Sequence, residues 1–143
     1  MMVASTMGAT AFQRGLGAMH ALSHPLGALY DAHHGLLNAV LMPYVLCANR
    51  TAIEEPMTRL SRYLGLPNAS FDAVLGWVMA LRAEIGIPNS LAEMGIDGKQ
   101  ASQVVRMALA DPSSGGNPVP LRAEDYKEIF RRAVAGELGW RGR

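Results

Sequence analysis

The 143 residues contain a single cysteine, Cys47, and carry almost no net charge. One cysteine excludes an internal disulfide and a four-cysteine zinc site, and it suits a reducing compartment. Because Cys47 lies within an apolar run, we expect a buried and unreactive thiol. Thirteen basic residues against twelve acidic ones leave a formal charge of +1, without a basic cluster larger than pairs such as Arg131-Arg132. This balance argues against binding to nucleic acid.

Targeting features are also missing from the first part of the chain. The segment "MMVASTMGATAF" has neither a basic region ahead of its apolar residues nor a cleavage-site pattern, so no signal peptide is predicted. A membrane-spanning helix needs about 20 uninterrupted apolar residues. Polar residues, glycine and proline between Arg14 and Pro25 interrupt the apolar pattern. We therefore expect a soluble, cytoplasmic protein that does not contact a membrane.

Charged residues are almost absent from the first third of the chain. Only Arg14 and Asp31 are charged between Met1 and Asn49, whereas charges recur at ordinary surface density from Arg50 onward. A segment without a polar face packs on most of its sides. This third is therefore predicted to be interior, and another surface must cover it.

No alternating strand pattern with hairpin turns occurs, so the sequence predicts an all-α fold, in a single domain over residues 1–143. Apolar spacing, caps and Gly or Pro stops predict helices over about residues 2–13, 16–23, 34–47, 51–65, 68–86, 98–111 and 123–135. Pro25 is expected to end the second helix, and Pro43 to kink or end the third. The segment "PSSGGNPVP" is expected to be a loop.

All four histidines lie within a short stretch of the uncharged third, at His20, His24, His33 and His34. His20 and His24 are four residues apart, which places both imidazoles on one face if the segment is helical. Neutral imidazole is a common ligand of Zn and Fe(II), and His34 at the start of the next helix could complete one side of a site. Histidines in apolar helices are also often ordinary core or surface residues, so spacing leaves both interpretations open.

A longer pattern surrounds these histidines. Residues 11–46, "AFQRGLGAMHALSHPLGALYDAHHGLLNAVLMPYVL", closely resemble the signature of the iron-containing (group III) alcohol dehydrogenases, GLGxxHxxxHPLGxxxxxPHGxxNAxxLPxV. The later segments "GIPNSLAEMGI" and "DPSSGGNPVPLRAEDYKEIFRRA" resemble the helical carboxy-terminal domain of the same family, which has a dehydroquinate synthase-like fold. The resemblance covers nearly the whole chain.

The resemblance implies site residues position by position. His20 and His34 match the two metal-ligand histidines of the signature. His24 matches a histidine that lies beside the substrate and the nicotinamide and takes part in proton relay, so it is the implied catalytic residue. His33 stands where many members have proline, and it is assigned no ligand role. In the family, Fe(II) or Zn(II) polarises the alcohol oxygen while a hydride passes to NAD(P).

Much of the family's machinery has no counterpart in this sequence. Complete members have an amino-terminal nucleotide-binding domain with a glycine-rich pyrophosphate loop, and an aspartate and a third histidine on an earlier helix complete the metal site. Residues 1–12 contain neither Asp nor His, and "SSGGNP" follows no predicted strand. We therefore expect a metal-binding-type domain that lacks the nucleotide-binding domain and two of the ligands, and that uses NAD(P) only if a separate half binds it.

Three functions remain open at this point. The chain could be the carboxy-terminal part of a metal-dependent alcohol dehydrogenase, incomplete as a catalyst on its own; a vestigial, inactive domain; or a non-catalytic helical interaction or dimerisation module. Nine methionines and the apolar first third suit an adaptable interface. We expect a separately encoded nucleotide-binding domain, or a second copy of the chain, to cover the apolar surface.

The substrate and the choice between NAD and NADP cannot be read from the sequence. The pocket of such enzymes lies between two domains, so part of its wall is not in these residues. Three large side chains near the motif could face that pocket, but core packing is the expected role for each: Phe12, Tyr30 and Met42.

Overall fold

The computed structural model describes residues 2–139, so the ends of the predicted domain, Met1 and residues 140–143, lie outside the described residues. Within residues 2–139 the chain forms six α-helices and no β-strand, and the prediction of an all-α fold is confirmed. The helices are α1 (Met2–Ala11), α2 (Ala18–Tyr30), α3 (His34–Tyr63), α4 (Phe71–Glu84), α5 (Ala101–Ala110) and α6 (Ala123–Ala135). Short 3₁₀ helices lie at Phe12–Arg14, Ala92–Met94, Gly98–Gln100 and Pro112–Gly116.

Local signals set several helix boundaries. The Ser70 side chain accepts a hydrogen bond from the backbone N–H of Ala73 and so caps the start of α4. Asp97 caps the short 3₁₀ turn ahead of α5 in the same way. Gly136 ends α6 with a φ of 74°, a left-handed conformation that favours glycine. The predicted helices α4, α5 and α6 are therefore found within a few residues of their expected ends.

Prolines do not end the helices that carry them, and two predicted boundaries are wrong. Helix α2 runs past Pro25, and α3 continues through Pro43 and Pro56 as one helix where two were predicted. An interior proline removes a backbone hydrogen bond and costs roughly 3 kcal/mol. Pro25 and Pro43 are both buried, so packing against neighbouring helices offsets that cost. The predicted loop at Pro112 likewise forms a short 3₁₀ helix.

The main core lies where α2, α3, α5 and α6 meet. Among its fully buried side chains are Leu22, Leu26, Leu37, Leu41, Val104, Tyr126 and Phe130. Burying one such leucine or phenylalanine stabilises the fold by roughly 1.5–3 kcal/mol. A smaller cluster of Met57, Phe71 and Val74 joins α3 to α4. Cys47 is buried, as predicted, and burial raises the pKa of its thiol.

Some large apolar residues of the amphipathic helices are not covered by the core. Five of them are 38–62% exposed: Leu60, Leu64, Leu81, Ile85 and Leu109. Helix α4 packs against α3 alone among the described helices, so only part of its apolar stripe finds a partner. Periodicity identifies an apolar stripe, but the number of neighbouring helices decides how much of the stripe is covered.

Helix α1 and the following turn Phe12–Arg14 bury none of their residues. Among the described elements α1 contacts only that turn. The large apolar side chains of this segment are 59–86% exposed: Met2, Val3, Met7 and Phe12. The expectation that the whole first third is interior is therefore wrong for this segment, because burial needs a facing surface and the other described helices offer none there. The expectation of an interior position is right for most of α2 and for the first half of α3.

By length and composition alone, helix α3 could cross a bilayer, and it is the one helix in residues 2–139 that could. Its most apolar window has a mean hydropathy of 1.3. Half of that window is buried inside the domain. Core helices of soluble proteins meet the same criteria, and α3 packs against α2, α4 and α6. Its apolar composition is accounted for by its place at the centre of the fold.

Candidate metal centre

Helices α2 and α3 bring three of the four histidines together. His20 and His24 lie one turn apart on α2, and His34 is the first residue of α3. Asp31 ends α2 with a φ of 50°, and the chain reverses there within three residues. The ring centroids of His34 lie 5.3 Å from those of both His20 and His24, which are themselves 5.9 Å apart. We call His20, His24 and His34 the histidine cluster.

The Nε2 atoms of His20 and His34 face the same atom. The Nδ2 of Asn38 lies 3.3 Å from Nε2 of His20 and 3.0 Å from Nε2 of His34. An amide nitrogen only donates hydrogen bonds, so both ring nitrogens accept and carry no proton. The two lone pairs therefore converge on Nδ2 of Asn38. An unprotonated imidazole nitrogen is also the form that binds a metal ion.

A hydrogen-bond chain holds the second ring nitrogen of His34. Its Nδ1 lies 3.3 Å from Oγ of Ser23, and the Ser23 hydroxyl donates to the backbone carbonyl of His20 at 3.2 Å. Because Nε2 of His34 accepts a hydrogen bond, its Nδ1 carries the proton and donates a hydrogen bond to Oγ of Ser23. In metal-ligating histidines the N–H of the second ring nitrogen usually donates a hydrogen bond in this way, which fixes the orientation of the ring.

His20 is the buried member of the histidine cluster, with 9% of its surface exposed. Burial lowers its pKa below the ordinary value of 6.5, and the neighbouring His34 and His24 lower it further. The ring of Phe12 lies edge-on to that of His20, with centroids 5.9 Å apart. Phe12, expected in the core, instead covers one side of the site from an exposed position. Burial and the two neighbouring imidazoles therefore favour the neutral form of His20.

His24 pairs with a carboxylate from a distant part of the chain. Its Nδ1 lies 2.8 Å from Oδ2 of Asp111, and the other oxygen of Asp111 accepts from the backbone N–H of Ser113. Burial opposes ionisation of Asp111, but the hydrogen bonds from His24 and Ser113 outweigh it and hold its pKa below the ordinary 3.8. A carboxylate in this position fixes the ring of a histidine and leaves the other nitrogen free for proton transfer. The side chain of His24 is 41% exposed.

His33 does not join the histidine cluster. Its Nδ1 accepts a hydrogen bond from the backbone N–H of Leu36 and caps the first turn of α3. The ring lies against Gly35, where an added Cβ would come within 3.2 Å of Cε1 of His33. In this structure His33 serves as a helix cap.

Three residues of the site carry no prediction from the sequence. Asn38 follows His34 by four residues on α3, so helical spacing alone could have pointed to it. Ser23 is one residue from His24, but nothing in the sequence shows that its hydroxyl faces His34. Asp111 is 87 residues away from His24 in sequence, and only the packing of α5 against α2 brings the two together.

The donor set fits part of a metal site. Residues 2–139 contain no group of three or more His, Cys, Asp or Glu side chains placed to hold an ion by themselves. Zinc sites normally use at least three protein donors. His20 and His34 therefore fit two ligands of such a site, and its other donors have to come from elsewhere.

Comparison with known proteins decides the family. Residues 1–134 match the family described as "Fe-containing alcohol dehydrogenase family, C-terminal". The chain belongs to this family. The resemblance stated from the sequence is thereby confirmed, and the fold is that of the family's helical carboxy-terminal domain.

Individual relatives of the chain include dehydrogenases. The chain is 38% identical to 4-hydroxybutyrate dehydrogenase from Cupriavidus necator, over 94% of this chain and 37% of that protein. It is 29% identical to NAD-dependent methanol dehydrogenase from Bacillus methanolicus, over 94% and 37% respectively. The crystal structure of a 1,3-propanediol oxidoreductase superposes with a TM-score of 0.77 and 34% identity, over 83% of this chain and 33% of that one. The chain thus spans about a third of the length of the relatives it matches.

Proposed function

We propose that this chain is the carboxy-terminal, metal-binding part of an NAD(P)-linked alcohol dehydrogenase, and that it is not a complete catalyst on its own. The observation that carries the proposal is that Nε2 of His20 and Nε2 of His34, from two helices, converge on one atom, Nδ2 of Asn38. Membership of the iron-containing family supports a metal ion as the group bound there. A relative named as NAD-dependent supports a nicotinamide cofactor.

The chain's own residues supply ligands and a route for a proton. A divalent ion, Fe(II) or Zn(II), bound by His20 and His34 would act as the Lewis acid for the substrate oxygen. Ser23 keeps the ring of His34 in its ligating orientation. His24 lies against His34 with its Nδ1 engaged by Asp111. Its Nε2 is therefore the atom that would take up or release a proton between substrate and solvent.

The remaining donors and the nicotinamide site are assigned to a nucleotide-binding part outside these residues. That part belongs either to the same polypeptide or to a separately encoded one, and it would cover the exposed apolar segment from Met2 to Phe12. A cytoplasmic location, where Cys47 stays reduced, belongs to the same proposal.

Metal binding to histidine variants tests the proposal. We expect His20→Ala and His34→Ala each to weaken Zn²⁺ binding by at least about tenfold, measured by titration calorimetry on protein purified without an affinity tag. His33→Ala is the matched control, because its ring caps α3 and does not join the histidine cluster. Iron and zinc contents should follow the same order. Equal metal affinity in wild type and all three variants would remove the basis of the proposal.

The exposed helix α1 favours a second candidate function, a non-catalytic interaction or dimerisation module. Its large apolar residues have no described partner, and methionine-rich surfaces adapt to partner surfaces. Light scattering after gel filtration distinguishes this candidate. A dimer that dissociates in Met7→Glu, together with no change in metal affinity in His20→Ala, would favour the module over the dehydrogenase part.

A further inference from the structure

We infer that Asn38 is a positioning residue that sets the tautomer of His20 and His34 and keeps their lone pairs converged before an ion binds. The inference rests on the proposed function only in treating these two histidines as ligands. The family comparison assigns no role to Asn38, and the residue lies outside the set of groups that bind metals most readily.

The side-chain amide of Asn38 supplies two hydrogen-bond donors, and the two imidazoles supply two acceptors. Its Nδ2 carries two hydrogens, and two ring nitrogens lie at hydrogen-bond distance, 3.3 Å away for His20 and 3.0 Å for His34. The helix fixes this arrangement, because Asn38 follows His34 by one turn of α3. His20 has to come from α2, so the same amide also joins the two helices at the site.

Rotating the side-chain amide of Asn38 into the opposite orientation would leave more hydrogen-bonding groups without a partner. The Oδ1 of Asn38 is buried without a hydrogen-bond partner among the described residues. If the amide were rotated, its two N–H groups would take that buried place, and two donors would be left unsatisfied where one acceptor is now. The present orientation therefore satisfies more groups, and it requires that Nε2 of both rings be unprotonated. Metal ligation requires the same protonation state.

The distances around Asn38 also resemble those inside a metal site. Metal–nitrogen bonds of about 2.0–2.1 Å in a tetrahedral site place neighbouring ligand atoms roughly 3.3 Å apart. Nδ2 of Asn38 lies at about this separation from both Nε2 atoms. A carboxylate oxygen at the same position would act as a third donor, and it would accept where the amide donates. Asn38→Asp should therefore reverse the tautomers of both rings in the metal-free chain.

Nitrogen NMR of the metal-free chain tests the inference directly. We would label the histidines of the full 143-residue chain with ¹⁵N, remove metal with a chelator and record spectra at about pH 8, where imidazole is neutral. The expected result is a proton on Nδ1 of His20 and His34 in the wild type, and on Nε2 of both in Asn38→Asp. Asn68→Asp, an identical change in an exposed turn, should match the wild type. Protonated Nε2 atoms in the wild type, or identical tautomers in Asn38→Asp, would overturn the inference.

Zn²⁺ titration of the same proteins adds a second readout. Asn38→Ala should bind Zn²⁺ about tenfold more weakly than the wild type because the rings are no longer held. If Asn38→Ala fails to fold, the tautomers of the nearly isosteric Asn38→Asp still carry the test. Equal affinity in wild type and Asn38→Ala would contradict the inference. No Zn²⁺ binding by the wild type would instead contradict the proposed function, while the tautomers would still decide the role of Asn38.

Discussion

The imidazole rings of His24 and His34 stack, with centroids 5.3 Å apart and planes inclined by 13°. One ring comes from the middle of α2 and the other from the first residue of α3. The stack places a histidine that is paired with a carboxylate directly beside a histidine whose unprotonated Nε2 accepts a hydrogen bond from Nδ2 of Asn38. The proposed proton carrier, His24, and the proposed metal ligand, His34, are thus in direct contact. The contacts that hold α2, α3 and the segment after α5 together can be tested separately.

Asp111 stabilises the segment after α5 as well as the ring of His24. Its Oδ1 accepts from the backbone N–H of Ser113 at the start of the 3₁₀ helix Pro112–Gly116. We expect Asp111→Ala to lower the free energy of unfolding by about 1 kcal/mol through loss of this cap. Asp111→Asn keeps an oxygen for Ser113 and should lose less than half of that. Urea unfolding measures both, and equal losses would show that the cap contributes little.

Asn117 joins three parts of the chain through its side chain. Its Oδ1 accepts from the first N–H of α2, at Ala18, and from Nδ2 of Asn49, while its Nδ2 donates to Oδ1 of Asn49 and to the carbonyl of Val119. Asn117→Ala leaves buried partners unsatisfied, so we expect it to cost about 2–3 kcal/mol of unfolding free energy.

A double-mutant cycle with Asn49→Ala checks the pairing of these two amides. Because each single change strands the other amide, the double variant should lose clearly less than the sum of the single losses. Additive losses would mean that the two side chains do not depend on each other. Chemical denaturation is sufficient for all four proteins of the cycle.

Two adjacent glycines provide a matched steric test. A Cβ added to Gly116 would overlap the carbonyl oxygen of Leu16, whereas a Cβ added to Gly115 would meet nothing within 4 Å. We expect Gly116→Ala to destabilise the fold by roughly 1–3 kcal/mol, because backbone has to move at the turn that leads into α2. Gly115→Ala should be neutral or slightly stabilising. Comparison of the two melting temperatures decides the point, and equal values would show that the contact with Leu16 is not tight.

Glu128 should make stability depend on pH in acid. Hydrogen bonds from Arg131 and Arg132 outweigh partial burial and lower its pKa from 4.5 to about 2. A depressed carboxylate pKa stabilises the folded state at pH values above the unfolded pKa, and this contribution is lost as the pH falls from 4.5 towards 2.

Glu128→Gln removes the titrating group and should therefore flatten the fall in melting temperature between those pH values. The carboxylate is 37% exposed, so at neutral pH we expect the variant to lose only about 0.5 kcal/mol. Glu124→Gln on the same helix serves as control, because Glu124 forms no ion pair among the described residues, whereas Glu128 pairs with Arg131 and Arg132. Parallel pH profiles for wild type and Glu128→Gln would contradict the expectation.

Much of the fold followed from local patterns, and the errors share one cause. The predicted ends of α4, α5 and α6 lie within a few residues of the observed caps at Ser70, Asp97 and Gly136. The expected end at Pro25 and the division of α3 were wrong, because a local rule cannot weigh the loss of one hydrogen bond against the burial of a whole helix. The burial expected of α1 failed for a related reason, since apolar composition does not supply the surface that covers it.

By itself, the sequence determined which residues share a face: His20 with His24, and His34 with Asn38, because four residues make about one helical turn. Its motif also determined the family, which the comparison confirms. Only the tertiary structure decided that His20 and His34 aim at one atom and that His24 meets Asp111. Those relationships join helices far apart in the chain, and they depend on how the helices pack, which spacing within a single helix does not encode.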